Sequence, residues 1–263
     1  MDFGISGKRA LVLASSRGLG LGIAVALARE GADVLLCGRS AEKLAANCAA
    51  INAEGKGKAQ FVAADIADSG FPPFIAGEAE RLLGGVDILV NNTGGPVPGT
   101  AEQALTAENL NAYFQSMVVS VITLTNLVVP QMKARGWGRV LTVASSGVFE
   151  PIPNLALSNT LRSALVGWNK TLSQEIAGDG VTANLLLPGR IHTDRIDELD
   201  GANAKRSGKT LEEVREASVK SIPAGRLGTV EEFASVAAFL CSGQASYVTG
   251  TLVRCDGGAA KSI

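Results

Sequence analysis

Residues 10–30 read ALVLASSRGLGLGIAVALARE. The apolar run from Ala10 to Ala14 has the length of a buried strand. It meets Ser15, Ser16 and Arg17, turns through Gly18, Leu19 and Gly20, and passes into a helix-forming run that reaches Glu30. A strand that turns through glycines into a helix brings bare backbone and the free N–H groups of a helix start to one point, where an anion can sit. The turn is not a full G-x-G-x-x-G, and no G-K-[ST] phosphate loop follows, so ATPase and GTPase readings lose their main support.

Working outward, the same alternation repeats. Strands are expected at Val34–Cys37, Gln60–Ala64, Val86–Val90, Val140–Val143, Val181–Leu187 and around Leu252–Val253. Helices are expected at Ala41–Ala53, up to Leu83, from Met117 to Ala134 and from Leu155 to Ala177. The strands are short and apolar on both faces, as in a parallel sheet covered by helices. The expected fold is α/β, a doubly wound Rossmann-type parallel sheet with helices on both faces, as one dinucleotide-binding domain over residues 1–263. In the helix before the sixth strand, Leu157, Leu161, Leu165, Trp168, Leu172 and Ile176 form an apolar stripe that faces a sheet or a partner subunit. Residues 192–221 are the least regular, rich in charge, Gly and Ser, and read as a lid over a site or as a surface excursion.

Composition narrows the partners. The chain of 263 residues has 46% hydrophobic and 19% charged residues, with 24 Lys and Arg against 25 Asp and Glu. It has no basic tract, so neither nucleic acid nor an anionic membrane surface is expected as a partner. No apolar stretch reaches the length of a membrane span and no signal peptide is evident. The 31 glycines lie between apolar runs, where tight turns sit. The cysteines Cys37, Cys48, Cys241 and Cys255 have no metal-ligand spacing and read as reduced core thiols of a cytoplasmic protein. One histidine without a cysteine cluster argues against zinc. Ser145-Ser146-Gly147 is not a G-x-S-x-G nucleophile elbow.

The second strand end sharpens the ligand. An NAD-binding domain usually has an acid there for the ribose 2′-hydroxyl, whereas this chain has Arg39 and Ser40. Arg39, with Arg17 on the same side, can pair with a 2′-phosphate, which favours NADP; both arginines are surface residues in the plainer reading. Asp65, beside Ile66 after the third strand, is an acceptor for an adenine amino group or a turn cap. The fourth strand runs into Asn91, Asn92, Thr93 and Gly94 at the carboxyl edge of the sheet, where ligands bind.

Taken in order, these segments resemble the short-chain dehydrogenase/reductase family over almost the entire chain. Residues 13–20 are similar to its T-G-x-x-x-G-x-G turn, with Leu13 and Ala14 in place of the Thr and first Gly. Asn91-Asn92-Thr93-Gly94 resembles its N-N-A-G element, Pro188-Gly189-Arg190-Ile191-His192-Thr193 its P-G-x-I-x-T cofactor loop, and Asp256-Gly257-Gly258 its D-G-G. Within the family the chain most resembles the 3-oxoacyl-acyl-carrier-protein reductases. The resemblance implies cofactor contacts from the first turn, from Asn92, Thr93 and Gly94, and from Pro188, Gly189, Ile191 and Thr193. It also implies a homodimer or homotetramer.

The proton-transfer positions depart from the family. Its tetrad is Asn, Ser, Tyr and Lys, and here Ser145 stands at the Ser position. Where the Tyr and Lys belong, the chain has Ser158 and Arg162; the Asn position falls on Met117, with Asn111 as the neighbouring alternative. A serine hydroxyl is a far poorer acid than a tyrosine phenol, and arginine holds its proton. Ser158 and Arg162 lie one turn apart and face one site. His192 is expected to position backbone or to sit at the surface, with acid catalysis as the lesser reading; Asp194 and Arg195 are weaker candidates for substrate contact. The expected activity is NADP-dependent interconversion of a small-molecule carbonyl and alcohol, with Ser145, Ser158 and Arg162 catalytic. The alternatives are an NADP(H)-binding regulatory or structural protein with impaired chemistry, and an elimination or epimerisation.

Overall fold

Alternation inside each short apolar run decides where its side chains go. In β1 (Arg9–Val12), Ala10 and Val12 enter one core while Leu11 enters the other. In β2 (Asp33–Gly38), Val34 and Leu36 part from Leu35 and Cys37 in the same way. A strand buried on both faces needs helices above and below it. The computed structural model describes residues 2–262. In it, β3 (Ala59–Ala63), β4 (Ile88–Asn91), β5 (Gly138–Val143), β6 (Val181–Pro188) and β7 (Leu252–Cys255) join these two strands in one sheet ordered β3-β2-β1-β4-β5-β6-β7. Every neighbouring pair is parallel.

One face is covered by α1 (Gly18–Arg29), α2 (Ala41–Glu54) and α10 (Val230–Leu240), through Ile23, Leu27, Leu44 and Phe233. The other is covered by α3 (Phe71–Leu83), α6 (Ser120–Ala134) and α7 (Ala156–Ile176), through Ile75, Leu124, Met132 and Leu172. Leu157, Leu161 and Leu165 of the α7 stripe are all but sealed from solvent, each contributing about 1.5–3 kcal/mol by leaving water. Gly180, at φ 74°, ends the 3-10 turn after α7.

Two expectations change. The helix expected from Met117 starts earlier: a four-residue α4 (Ala101–Ala104) and α5 (Ala107–Phe114) precede a π turn, Gln115–Val119, which leads into α6. Residues 192–221 are not irregular. They form α8 (Asp194–Ser207) and α9 (Leu211–Lys220), in which only Asp200 and Val214 are buried. Charged helices that bury so little carry no apolar stripe to read. All four cysteines are free, and burial pushes the Cys37 and Cys241 thiols up to about 12. Cys37 and Cys241, both sealed in the core, are packing groups.

Candidate active site

Strand β1 pairs with β2 on one side and β4 on the other, so the crossovers diverge at its carboxyl end. That is the switch point where open α/β sheets bind ligands. The turn after β1 is built for close approach. Ala14 takes φ +45° and Gly18 φ +58°, left-handed backbone that costs Ala14 strain where glycine would be free. A Cβ on Gly20 would stand 2.5 Å from the Ala14 carbonyl oxygen and 2.6 Å from Asn92 Nδ2. Arg17, at the N-cap of α1, makes no capping hydrogen bond with its side chain. The first N–H groups of α1 thus keep their capacity for an anion, and the turn fits a dinucleotide pyrophosphate.

The expected cofactor residues divide into braces and free groups. Ser15 is a brace: its Oγ donates to Val12 O (2.8 Å) and accepts from the Cys37 N–H (2.9 Å). Ser16 lies against Gly38, and its carbonyl accepts from Asn47 (3.1 Å). Leu19 packs on the first core. Asn92 Nδ2 donates to Leu13 O (3.3 Å) and Ala14 O (3.2 Å), tying the β4 end to the turn. Thr93 is half-buried and Gly94 exposed.

After β2, Ser40 accepts from the Lys43 N–H and caps α2. The Arg39 guanidinium is 81% exposed and 4.0 Å from Asp65. Asp65 also accepts from the Ala67 N–H (3.0 Å), and the Ile66 carbonyl accepts from Ser120 Oγ (2.9 Å). Arg17 is ion-paired. It reaches into α8, 2.9 Å from Asp194 and 3.5 Å from Glu198.

After β6 the loop is tight. Gly189 N–H donates to Cys255 O (2.9 Å), and a Cβ there would stand 2.5 Å from Asp256 Cα. Ile191 bridges to Gly228 and is buried in the first core, following Pro188 at the strand end. Thr193 stands at the N-cap of α8, with Cγ2 3.8 Å from the Cβ position of Gly18. The first turn and the loop after β6 therefore face each other. His192 is exposed, 4.0 Å from Asp197.

The three residues expected to be catalytic lie after β5 and on α7. Ser145 follows β5, caps a short 3-10 turn and accepts from the Gly147 N–H (3.1 Å). Ser158 and Arg162 both lie on the buried side of α7. Arg162 Nη1 donates to Val143 O (2.7 Å), which fastens α7 to the end of β5 just before Ser145. Burial, then the charge of Arg195, pushes the Arg162 pKa down to about 10. Arg195 Nη2 donates to Pro96 O (2.8 Å).

Met117 sits in the π turn and packs into the cluster with Leu157 and Leu161, so an apolar contact takes the place of an amide. Asn111 is exposed on α5 and does not replace it. Tyr247 is fully exposed, and Tyr113 packs against that same apolar cluster. A cavity of about 390 Å³ lies between α8 and α9, lined by Arg190, Asp200, Asn203 and Ser218, and contains none of the three expected catalytic residues.

Sequence reasoning named Arg195 only as a weaker candidate for substrate contact, and it missed the Gly95–Pro96 backbone to which Arg195 is anchored. The signal available was Asp194-Arg195 directly after the P-G-x-I-x-T element.

The chain has close relatives. A family model described as Enoyl-(Acyl carrier protein) reductase matches residues 13–260. "Dehydrogenase/reductase SDR family member 4" of Sus scrofa is 35% identical over 260 residues, 98% of this chain and 89% of that protein. "NADPH-dependent reductase BacG" of Bacillus subtilis (strain 168) is 30% identical, over 98% of this chain and all of that one (100%). The crystal structure of L-sorbose reductase from Gluconobacter frateurii, complexed with NADPH and L-sorbose, superposes with a TM-score of 0.94 at 31% identity, with 100% of both chains covered.

Proposed function

The chain belongs to the short-chain dehydrogenase/reductase family, and from that membership we propose that it is an NADP-dependent oxidoreductase interconverting a small-molecule carbonyl and alcohol. The observation that carries this reading is the Gly20 cradle beneath the open start of α1, where a single methyl group would collide with the Ala14 carbonyl. Solved relatives described as NADPH- or NADP-bound support the choice of cofactor. So does Arg39, an exposed cation at the end of β2 where a ribose-binding acid is absent.

The residues divide the work. The α1 N-terminus and the turn from Ser15 to Gly20 hold the pyrophosphate, and Arg39 with Ser40 the 2′-phosphate. Asp65 and Ile66 flank the adenine. Asn92, Thr93 and Gly94, with Pro188, Gly189, Ile191 and Thr193, position the nicotinamide half. When bound, NADPH supplies a hydride. Ser145 donates a hydrogen bond to the substrate oxygen, and Arg162, in the place of the family's lysine, keeps that pocket positive. Ser158 passes a proton between the oxygen and water, since arginine holds its own. Helices α8 and α9 form the lid, latched to the cofactor turn through Arg17 and Asp194. The free thiols suit a reducing compartment such as the cytoplasm. The half-buried helical stretch 107–134 suits a homodimer or homotetramer.

The test is an NADPH titration followed by turnover on a carbonyl panel that includes a 3-oxoacyl thioester. Binding with steady NADPH consumption is expected. Binding without consumption of NADPH on any carbonyl favours the second reading, a cofactor-binding protein without chemistry. Met117 and Ser158, which stand where the family has Asn and Tyr, motivate that reading.

A further inference from the structure

The turn that carries Ser145 is gripped at both ends by α7. Val143, just before it, accepts from Arg162 Nη1 (2.7 Å). Ile152, just after it, is held by Asn159. The Ile152 N–H donates to Asn159 Oδ1 (3.2 Å), and the Ile152 carbonyl accepts from Asn159 Nδ2 (2.9 Å). An asparagine amide offers an acceptor and a donor side by side, so it can pair with the N–H and the C=O of a single residue, as a residue on an antiparallel strand does. An ionised aspartate lacks the donor and cannot close that pair. Asn159 directly follows Ser158 in α7.

Between the two grips the chain is wound tight. Ser145 O accepts from the Val148 N–H (3.2 Å), and Ser146 O from the N–H groups of Phe149 (3.0 Å) and Glu150 (3.2 Å). Ser145 Oγ accepts from the Gly147 N–H (3.1 Å). That bond occupies a lone pair of Oγ and leaves the hydroxyl hydrogen for a substrate oxygen. Gly147 is where the groups meet. A Cβ there would stand 3.3 Å from Ser145 Oγ and 3.5 Å from Asn159 Cγ, and it would overlap Asn159 Oδ1 outright. Gly147 is not among the glycines at positive φ, so space and not backbone conformation requires glycine here. The Asn159 amide thus packs on the residue whose N–H holds Ser145 Oγ.

Resting on the oxidoreductase reading above, we propose that Asn159 is a positioning residue. Its amide, closed on Ile152 and seated against Gly147, sets the direction in which Ser145 presents its hydroxyl to the substrate carbonyl. Because Ser158 lies on the same helix, one element keeps the two hydroxyls in register. Misdirection of a group at the reacting atoms is costly even when nothing that touches substrate has been removed.

The experiment measures kcat, KM for the carbonyl and NADPH affinity for wild type, Asn159→Ala, Asn159→Asp, Gly147→Ala and the double variant Gly147→Ala/Asn159→Ala, with thermal melting to check that each folds. The carbonyl is the one that wild type consumes fastest in the panel above. Asn159→Ala is expected to lower kcat on the order of 10-fold while NADPH affinity stays at the wild-type value, since the turn meets the substrate oxygen and not the cofactor. Asn159→Asp keeps the shape and the acceptor, loses the donor, and is expected to fall between the two; if the alanine variant does not fold, it carries the same comparison. Gly147→Ala is expected to cost a similar factor alone and much less beside Asn159→Ala, where the new methyl group takes the vacated space. Wild-type kcat in the folded Asn159 variants, or single losses that multiply in the double variant, overturn the proposal and leave the oxidoreductase reading standing. A loss of NADPH affinity in step with kcat marks Asn159 as structural support alone and also overturns it. Absence of turnover by wild type on every carbonyl overturns the oxidoreductase reading, and the positioning role with it.

Discussion

At the scale of single residues, close approach is the governing constraint. Gly20 has no room for a methyl group: the Ala14 carbonyl and the Asn92 amide already occupy the space, and those two are bonded to each other. Gly20→Ala must push the turn away from the start of α1. The expected outcome is loss of NADPH affinity by at least about 10-fold, the equivalent of one lost hydrogen bond to a charged group. Fluorescence titration of NADPH against wild-type and variant protein checks this. Ala14 is the opposite case, a side chain held at positive φ where glycine would be relaxed. The sequence carried the signal only through the resemblance, in which Ala14 stands where the family turn has its first Gly. Arg17 was legible as a residue of the turn but not in its direction. Its partners on α8, Asp194 and Glu198, lie far along the chain, and local spacing holds no record of such a contact.

At the scale of elements, one ion cluster ties strand to strand. Asp87, just before β4, accepts from Arg9 Nε (2.8 Å) and Nη2 (2.7 Å), and Arg135 comes within 3.1 Å. Burial alone would raise its pKa, but the hydrogen bonds from Arg9 and the charges of Arg9 and Arg135 outweigh that and hold the carboxyl below its usual range. A depressed carboxylate contributes stability above its unfolded value of about 3.9 and loses it as pH falls through the folded value. Asp87→Asn is therefore expected to be less stable than wild type by about 2–4 kcal/mol near neutral pH, with the gap closing in acid. Urea unfolding of both proteins across that pH range measures it.

The elements differ in how openly they announce themselves. The seven strands and the α7 stripe are apolar and periodic, so the sequence reading places them closely. Helices α8 and α9 bury almost nothing, and their evidence lies in caps, notably the Thr210–Glu213 capping box. The Thr229–Glu232 box before α10 is a signal of the same kind. The order of the cofactor segments was readable. What fastens Arg162 was not, because the Val143 carbonyl it bonds arrives from the end of β5.

At the scale of the whole molecule, α5 and α6 present an unusual surface. The apolar helical stretch 107–134 is only 44% buried over its most apolar window. Phe114 and Leu127 stand 43% and 46% exposed. An apolar face of this kind is the seam expected of an assembly. Leu127→Glu would place a charge in that seam, and the proposed homodimer or homotetramer is expected to dissociate by at least one step. Sedimentation equilibrium of wild type and variant, at matched concentration, reads this directly. A monomeric wild type would remove the homo-oligomer from the reading.

The all-parallel sheet has a consequence for how the chain is made. No strand can close on its sequence neighbour through a tight turn, since a parallel partner always lies a crossover away. As synthesis proceeds, β1 gains β2 early, but its other edge stays open until residues 88–91 arrive. The outer edge of β6 waits longer still, for Leu252 to pair with Leu185. The nascent protein therefore carries an open apolar edge on the ribosome until its final strand emerges. Its refolding rate is set by these distant closures rather than by any local hairpin.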